Sequence, residues 1–486
     1  MTDLPGIRAR LRAVNQEHLL RFVDELDSDA RARLVASIEA LPIDDLPALV
    51  KQHVLREDLG NDAHRDDFKS LEPAPCYPAD PTGPSPGARS WDRQRAFAAG
   101  ERLLRQGKVA LLTVAGGQGT RLGFDGPKGC FPATPAAGKP LFRVLAEWIL
   151  AAQQRYEVRI PWAIMTSPLN HEATMSFFND QRFFGLSRRD IVFFRQGVMP
   201  SFDKDTGCVL LARKDAPATN PDGHGGTIRA LCERGVAQHL ASQGVEHVSY
   251  VQIDNPLVQP FDPVFLGLHA TAADSSVEMS SKMIRKTDPA ERVGVFCSLG
   301  GKTRIVEYSD LPDQLAKQRD ANGQLRFCAG SPAMHIISLS FAQRLFADGV
   351  EHALPFHRAV KRVPYIDPET GKPVASAAPN AVKLEMFIFD ALPLCQSSIV
   401  LEALREEEFA PIKNATGVDS PETSQRAQIA RACRWLERAG VRVPRTSAGE
   451  PDCTVEISPL AAMTPDDLAQ ASDIPTRINP GDTLAL

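Results

Sequence analysis

The sequence predicts an α/β protein: a parallel sheet with helices on both of its faces. Three observations point there. Short apolar runs, Val109–Val114, Pro161–Thr166, Ile191–Phe194 and Val248–Ile253, alternate with stretches of helical periodicity. Runs this short and this apolar suit strands buried on both faces, which is how parallel strands sit. Alternation of such strands with helices builds βαβ units with right-handed crossovers. The first and last of these runs also empty into turn chemistry, Gly116-Gly117 and Asp254-Asn255-Pro256.

Taken in order, residues 7–55 read as helices, because Leu11, Val14, Leu19, Phe22 and Val23, then Leu34, Ile38 and Leu41, recur at helical spacing between charges. Residues 73–88 hold six prolines with Gly83 and Gly87, a linker or an extended strap over a surface. Within the α/β texture, residues 141–155, 171–179 and 226–242 read as helices, the last one long and amphipathic. After residue 277 strands are favoured, and Val293–Cys297 and Lys302–Tyr308 flank Gly300-Gly301 as a hairpin. Residues 382–391 and 420–439 read as helices. A length of 486 residues suggests roughly two to four domains. The texture divides the chain into 1–90, 91–392 and 393–486.

A net charge of -5, from 55 basic and 60 acidic residues, argues against a nucleic-acid or anionic-membrane binder. An anionic substrate must therefore be held by local cations and backbone amides. The nine cysteines include no C-x-x-C pair, which argues against zinc ribbons and disulfide frameworks and for reduced, mostly buried thiols. No stretch nears the roughly 18 apolar residues of a membrane span, and the N-terminus has no basic region followed by an apolar run. A cytoplasmic location is expected.

The most informative segment is Ala115-Gly116-Gly117-Gln118-Gly119-Thr120-Arg121-Leu122-Gly123, followed by Gly126-Pro127-Lys128. It leaves a strand at its carboxyl end, where α/β sheets bind ligands. Its glycines let the backbone approach a phosphate with N–H groups exposed. Arg121 and Lys128 add charge that could offset a transferring phosphoryl group. Leu122 stands where a dinucleotide fingerprint needs Gly, and Gly-Lys-Ser/Thr of a Walker loop is absent. Asp254, at another strand tip, is placed to hold Mg²⁺ bridging phosphate oxygens. His335 and Cys328 are set aside, since a lone His in an apolar strand is ordinarily packed core.

The loop 115–128 resembles the signature of the UDP-sugar pyrophosphorylases, of the eukaryotic UDP-N-acetylglucosamine pyrophosphorylase type. The likeness continues collinearly through Ile164–Ser167, Phe193–Gly197, Pro221–Gly226, Ile253–Asn255, Val306–Ser309, Lys383–Glu385, Leu404–Phe409, Pro411–Asn414 and Glu456–Leu460. It implies a Rossmann-like, glycosyltransferase-A-like mixed sheet, a helical N-terminal region, and a small C-terminal α+β domain that closes on the site. It also implies roles. Arg121 and Lys128 would be catalytic, gripping the UTP phosphates. Ala115, Gly116, Gly117, Gln196, Gly223 and Lys383 would bind the nucleotide, with the Gln196 amide suited to uracil. His224, Glu307, Tyr308, Ser331 and Lys413 would bind the sugar phosphate, and Asp254 would be the metal ligand.

The implied partners are UTP, a sugar 1-phosphate and pyrophosphate, with Mg²⁺ as cofactor and neither nucleic acid nor membrane. The sugar-phosphate oxygen would attack the α-phosphorus in line, with no uridylyl-enzyme. Lys413 lies in the C-terminal segment, so that segment would have to close to deliver it. The N-acetylglucosamine pattern has Asn where this chain has His224, and Asn again where it has Ser331. Both changes bear on the sugar, and Gly-His-Gly is shared with hexose-type enzymes. N-acetylglucosamine 1-phosphate is favoured over glucose or galactose 1-phosphate. A non-catalytic UDP-sugar-binding protein and a UDP-sugar-dependent glycosyltransferase are the rival classes.

Overall fold

The computed structural model describes residues 4–55, 67–82, 89–346 and 354–486. The chain divides into two compact units: Asp67–Arg195, Leu231–Val350 and Ala391–Leu486 form the larger, and Met1–Asp66, Gln196–Ala230 and Glu351–Asp390 the smaller. The end of the proline-rich stretch, residues 83–88, lies outside the described residues.

The larger unit is built on an eleven-stranded mixed sheet. Its strands are β1 (Glu72–Pro73), β2 (Val109–Val114), β3 (Trp162–Thr166), β4 (Ile191–Arg195), β5 (His247–Gln252), β6 (Met279–Arg285), β7 (Val295–Leu299), β8 (Lys302–Val306), β9 (Ala329–Gly330), β10 (His335–Ser338) and β11 (Val400–Glu402). The path runs β1-β7-β9-β6-β10-β5-β2-β3-β4, with β8 on β7 and β11 on β6. The block β5-β2-β3-β4 is parallel, as the alternating pattern requires. β10 then runs antiparallel to both β5 and β6, making the sheet mixed. From β2 the chain winds one way through β3 and β4, then crosses to β5 on the other side. The gap between the carboxyl ends of β2 and β5 is thus a topological switch point, where open α/β sheets bind ligands.

Helices α1 (Arg93–Arg105), α2 (Leu141–Tyr156), α3 (His171–Asp180), α4 (Pro263–Thr271), α5 (Pro421–Arg438) and α6 (Pro465–Gln470) belong to this unit. α2 is buried along Leu141, Phe142, Leu145, Trp148, Ile149 and Ala152, the spacing of one face meeting the sheet. Trp162, Phe142 and Phe178 are among the largest fully buried side chains and meet edge to face. Rings in that arrangement add to their area burial. The described part of the proline-rich stretch is indeed an extended strap: Tyr77 exchanges backbone hydrogen bonds with Val400 and Glu402 on β11. The C-terminal part gathers its own core from Cys433, Trp435, Leu436, Val455 and Leu468.

In the smaller unit, the helices Leu4–Ala13 and Ser28–Glu39 bury Leu11, Leu34 and Ile38 with Met199, Phe202, Val382 and Leu384. Asp27 caps the second helix by accepting from the Ala30 N–H at 2.7 Å. An antiparallel sheet joins Phe202–Asp203, Ala381–Met386 and Phe356–Lys361.

Two local expectations fail. Residues 226–242 do not make one helix: Gly226–Glu233 and Val236–Ser242 are separated at Gly235, whose φ of 70° is left-handed. Residues 382–391 are not helical throughout: Ala381–Met386 is a strand, and a 3-10 helix follows from Ile388. Val382, Leu384 and Met386 are buried while Lys383 and Glu385 are not, a period of two that a short window also lets read as helical. The hairpin at Gly300-Gly301 is present, both glycines having positive φ, but β8 ends at Val306, before Glu307 and Tyr308.

Candidate active site

At the switch point the first loop leaves β2 and turns back on itself. Gly119 donates to the Gly126 carbonyl at 2.9 Å, and Lys128 to the Gly117 carbonyl at 3.1 Å. A Cβ on Gly119 would come within 2.9 Å of the Phe124 carbonyl oxygen, so that turn admits only glycine. The backbone amides of Gly116 and Gly117 donate to no protein acceptor among the described residues. Free amides on a glycine loop form the concavity that anions and nucleoside oxygens occupy. Ala115 is buried just behind them and bonds the Met165 carbonyl on β3.

Asn170 was missed from the sequence. It is fully buried after β3, donates to the Ala115 carbonyl at 2.9 Å and the Gly117 carbonyl at 3.2 Å, and accepts from the Ser167 N–H. It fastens the glycine loop to the neighbouring strand tip. Ser-Pro-Leu-Asn reads as a turn, and only the tertiary contact shows which carbonyls the amide reaches.

The same folding-back puts Lys128 beside Asp254. The two side chains, 15% and 13% exposed, meet with Nζ 3.2 Å from Oδ2. Asp254 follows β5, so an adjacent pair of parallel strands supplies both partners. It does not cap the next helix: Asp262 caps α4 through the Val264 N–H. Asp254 Oδ1 has no partner among the described residues, and Arg121 stands exposed without an ion pair there. No group of three His, Cys, Asp or Glu gathers as a metal cluster among the described residues. A single carboxylate with a free oxygen still suits Mg²⁺, which takes one or two carboxylates and completes its shell with substrate phosphates and water.

Lys413 is near this tip in the structure as it stands. The Ile412 N–H donates to the Asp254 carbonyl at 2.8 Å, which ties the backbone next to Lys413 to this tip. The Lys413 ammonium lies 3.4 Å from Asp419 and over the Phe409 ring. Elsewhere in this unit, Glu307 and Ser331 flank Gly294: Ser331 donates its N–H to the Gly294 carbonyl at 2.8 Å, and a Cβ on Gly294 would sit 3.2 Å from Glu307 Oε1. Tyr308 is 46% exposed and is not strand packing.

The smaller unit brings together Gln196, Gly223, His224 and Lys383. Gln196 is buried and donates to Asp222 at 3.2 Å, leaving its carbonyl oxygen for a ligand. Gly223 has φ 85°, and a Cβ there would lie 2.3 Å from the Met386 carbonyl oxygen. Lys383 shares a strand face with Glu385, whose Cβ is the side-chain atom nearest Gly223. His224 stacks on Phe387 and accepts the Ile388 N–H on Nδ1 at 3.1 Å. Burial, reinforced by His357, pushes its pKa down to about 4, so the ring is neutral with only Nε2 left to meet a substrate. His335 is buried, its Nδ1 2.8 Å from the Ser281 hydroxyl, as a packed strand histidine should be.

Residues 90–418 match the family described as UTP–glucose-1-phosphate uridylyltransferase. The chain belongs to that family. It is a UDP-sugar pyrophosphorylase, a uridylyltransferase, and the amides, cations and carboxylate around the switch point fit that chemistry. It is 34% identical over 482 residues to UDP-N-acetylhexosamine pyrophosphorylase-like protein 1 of Xenopus tropicalis, covering 94% of this chain and 91% of the relative. It is 37% identical over 352 residues to UDP-N-acetylglucosamine pyrophosphorylase of Saccharomyces cerevisiae, covering 71% of this chain and 73% of that one. The crystal structure of the uridine diphosphate N-acetylglucosamine pyrophosphorylase of Trypanosoma brucei, in complex with an inhibitor, superposes with a TM-score of 0.76 at 28% identity over 98% of both chains. No helix among the described residues is long and apolar enough to cross a membrane.

Proposed function

We propose that this uridylyltransferase joins UTP to N-acetylglucosamine 1-phosphate, releasing pyrophosphate. The observation that carries the reading is the Lys128–Asp254 pair beside the free Gly116 and Gly117 amides, all at the switch point of the sheet. The sugar is supported by relatives, similar over most of this chain, that are UDP-N-acetylglucosamine pyrophosphorylases. The nine free thiols suit a reducing compartment, and we place the protein in the cytoplasm.

The attacking oxygen of a sugar 1-phosphate is already anionic, so the reaction needs positioning and charge neutralisation, not a general base. Gly116 and Gly117 bind the nucleoside end. Lys128 and Arg121 hold the UTP phosphates, and within the smaller unit Gln196, Gly223 and Lys383 keep the nucleotide-binding roles that the resemblance implies. Lys413 holds the sugar phosphate, and Glu307 with Tyr308 and Ser331 the sugar. The sugar-phosphate oxygen forms a bond to the α-phosphorus as the α–β bridging bond breaks, and pyrophosphate leaves with the electron pair. Asp254 would hold a Mg²⁺ ion, which supplies charge neutralisation on the phosphates when bound.

A second reading, glucose or galactose 1-phosphate, is favoured by His224, whose committed Nδ1 leaves one polar atom where an Asn would offer a donor and an acceptor. A pyrophosphate-release assay with UTP, Mg²⁺ and a panel of sugar 1-phosphates decides. We expect kcat/KM for N-acetylglucosamine 1-phosphate to exceed that for glucose 1-phosphate by at least about tenfold. The reverse order would install the second reading. No release with any sugar would leave a non-catalytic binding protein, and release of UDP from a UDP-sugar would indicate a glycosyltransferase.

A further inference from the structure

Asn255, next to Asp254, takes no part in the reaction as read above, yet it is 6% exposed and fully committed. Its Nδ2 donates to the Glu408 carbonyl at 2.6 Å, and its Oδ1 accepts from the Ala410 N–H at 3.0 Å. One planar amide thus imitates the two-bond edge that a partner strand would offer to residues 408–410. Only a primary amide carries a donor and an acceptor side by side in this way. Two residues further on, the Ile412 N–H reaches the Asp254 carbonyl, so the segment is pinned along its length to the tip of β5.

Glu408 is gripped at its other end as well. Its two carboxylate oxygens lie 2.6 and 2.7 Å from the Lys282 ammonium, which is 2% exposed and also contacts Asp262 at 2.8 Å. Lys282 comes from β6 and Asp262 caps α4, so Glu408 is referenced to two rigid elements besides β5. Lys413 follows this anchored stretch directly.

We infer that Asn255 and Glu408 are positioning residues that set Lys413 in register with Asp254, fixing the sugar-phosphate subsite relative to the nucleotide subsite. This deepens the reading of Lys413 given above and rests on it. The pair touches no substrate. Its role is to hold a flexible lysine stem where a second polyanion must dock in line, and a small shift there costs rate steeply.

The experiment compares Asn255→Ala, Lys413→Ala and the double variant by steady-state kinetics on the full chain. We expect Asn255→Ala to raise KM for the sugar 1-phosphate about tenfold while KM for UTP moves less than about threefold. Lys413→Ala should give a similar split, and the double variant should be no worse than Lys413→Ala by more than about twofold, because coupled residues are not additive. If Asn255→Ala does not fold, Glu408→Gln, which keeps the volume and removes the charge, is measured in the same design. Unchanged or equally shifted KM values, or additive losses in the double variant, overturn the inference. A normal Lys413→Ala also overturns it and withdraws the role given to Lys413, while continued pyrophosphate release by the unaltered protein leaves the reaction standing.

Discussion

Lys128 and Asp254 neutralise one another at 3.2 Å, and that pairing sets what each does when UTP arrives. On the proposed mechanism the lysine would turn to the phosphates, and the carboxylate would be freed to hold a Mg²⁺ ion. Lys128→Ala is therefore expected to lower kcat by about 10²–10³-fold with the melting temperature little changed, since the lost interaction is with developing charge. Near-normal turnover would remove Lys128 from the mechanism. His224 gives a second prediction at this scale. Its pKa lies near 4 in the folded protein, against an ordinary value of 6.5. The folded state then binds fewer protons than the unfolded chain between these values, so stability is intact above pH 6.5 and falls as pH drops toward 4, by up to about 3 kcal/mol. Urea unfolding at pH 7 and pH 5 should show a steeper loss for the unaltered protein than for His224→Asn. Parallel losses would mean that this ring does not carry the effect. The glycine loop and the strand-tip positions of Lys128 and Asp254 were legible because turn chemistry is local in sequence. Asn170 and Asn255 were not, because an amide's function depends on which distant carbonyls it meets.

Among elements, α1 and α4 touch backbone to backbone. A Cβ on Gly100 would lie 1.8 Å from the Pro263 carbonyl oxygen, and one on Gly267 would lie 1.7 Å from that of Ala96. Neither glycine has positive φ, so space alone forbids the methyl group. Gly267→Ala should cost about 3 kcal/mol by chemical denaturation, the upper end of ordinary overpacking, despite alanine's better helix propensity. A neutral or stabilising outcome would show that the helices separate without penalty. From sequence these glycines look only like mild helix weaknesses. The strands of the parallel block and helices α2, α3 and α5 were legible to within a residue or two, because a one-sided or fully buried element writes its period into the chain. Ala381–Met386 was misread since six residues hold too few repeats to separate the two periods. Gly235 was passed over because a lone glycine inside a helical pattern is usually tolerated.

For the whole molecule, the attachment of the C-terminal segment in the larger unit rests on a buried charge network. Glu147 on α2, 3% exposed, takes Lys139 at 2.9 Å, Arg143 at 2.7 Å and the Ser458 hydroxyl at 2.7 Å. Burial alone would raise this carboxyl, but these donors outweigh it and hold it below the ordinary carboxylate range. Glu456 accepts from the Ala137 amide at 2.9 Å, Arg155 forks onto Asp467, and Gln428 reaches the Ala133 carbonyl. Glu147→Ala is expected to cost about 3 kcal/mol in urea unfolding, because Lys139 and Ser458 would be left with fewer partners in a buried setting. A loss under about 1 kcal/mol would mean that water readily replaces the carboxylate there.

By itself the sequence determined the α/β class and the glycine loop at a strand's end, since both are written in short-range pattern and residue type, and its collinear resemblance to a family pointed to the reaction. Only the tertiary structure decided that β5 returns beside β2 so that Asp254 meets Lys128, that β10 turns the sheet mixed, and that Ile412, next to Lys413, is tied to the strand tip. Strand order and long-range amide bonds depend on which surfaces meet in space, and no local period records that.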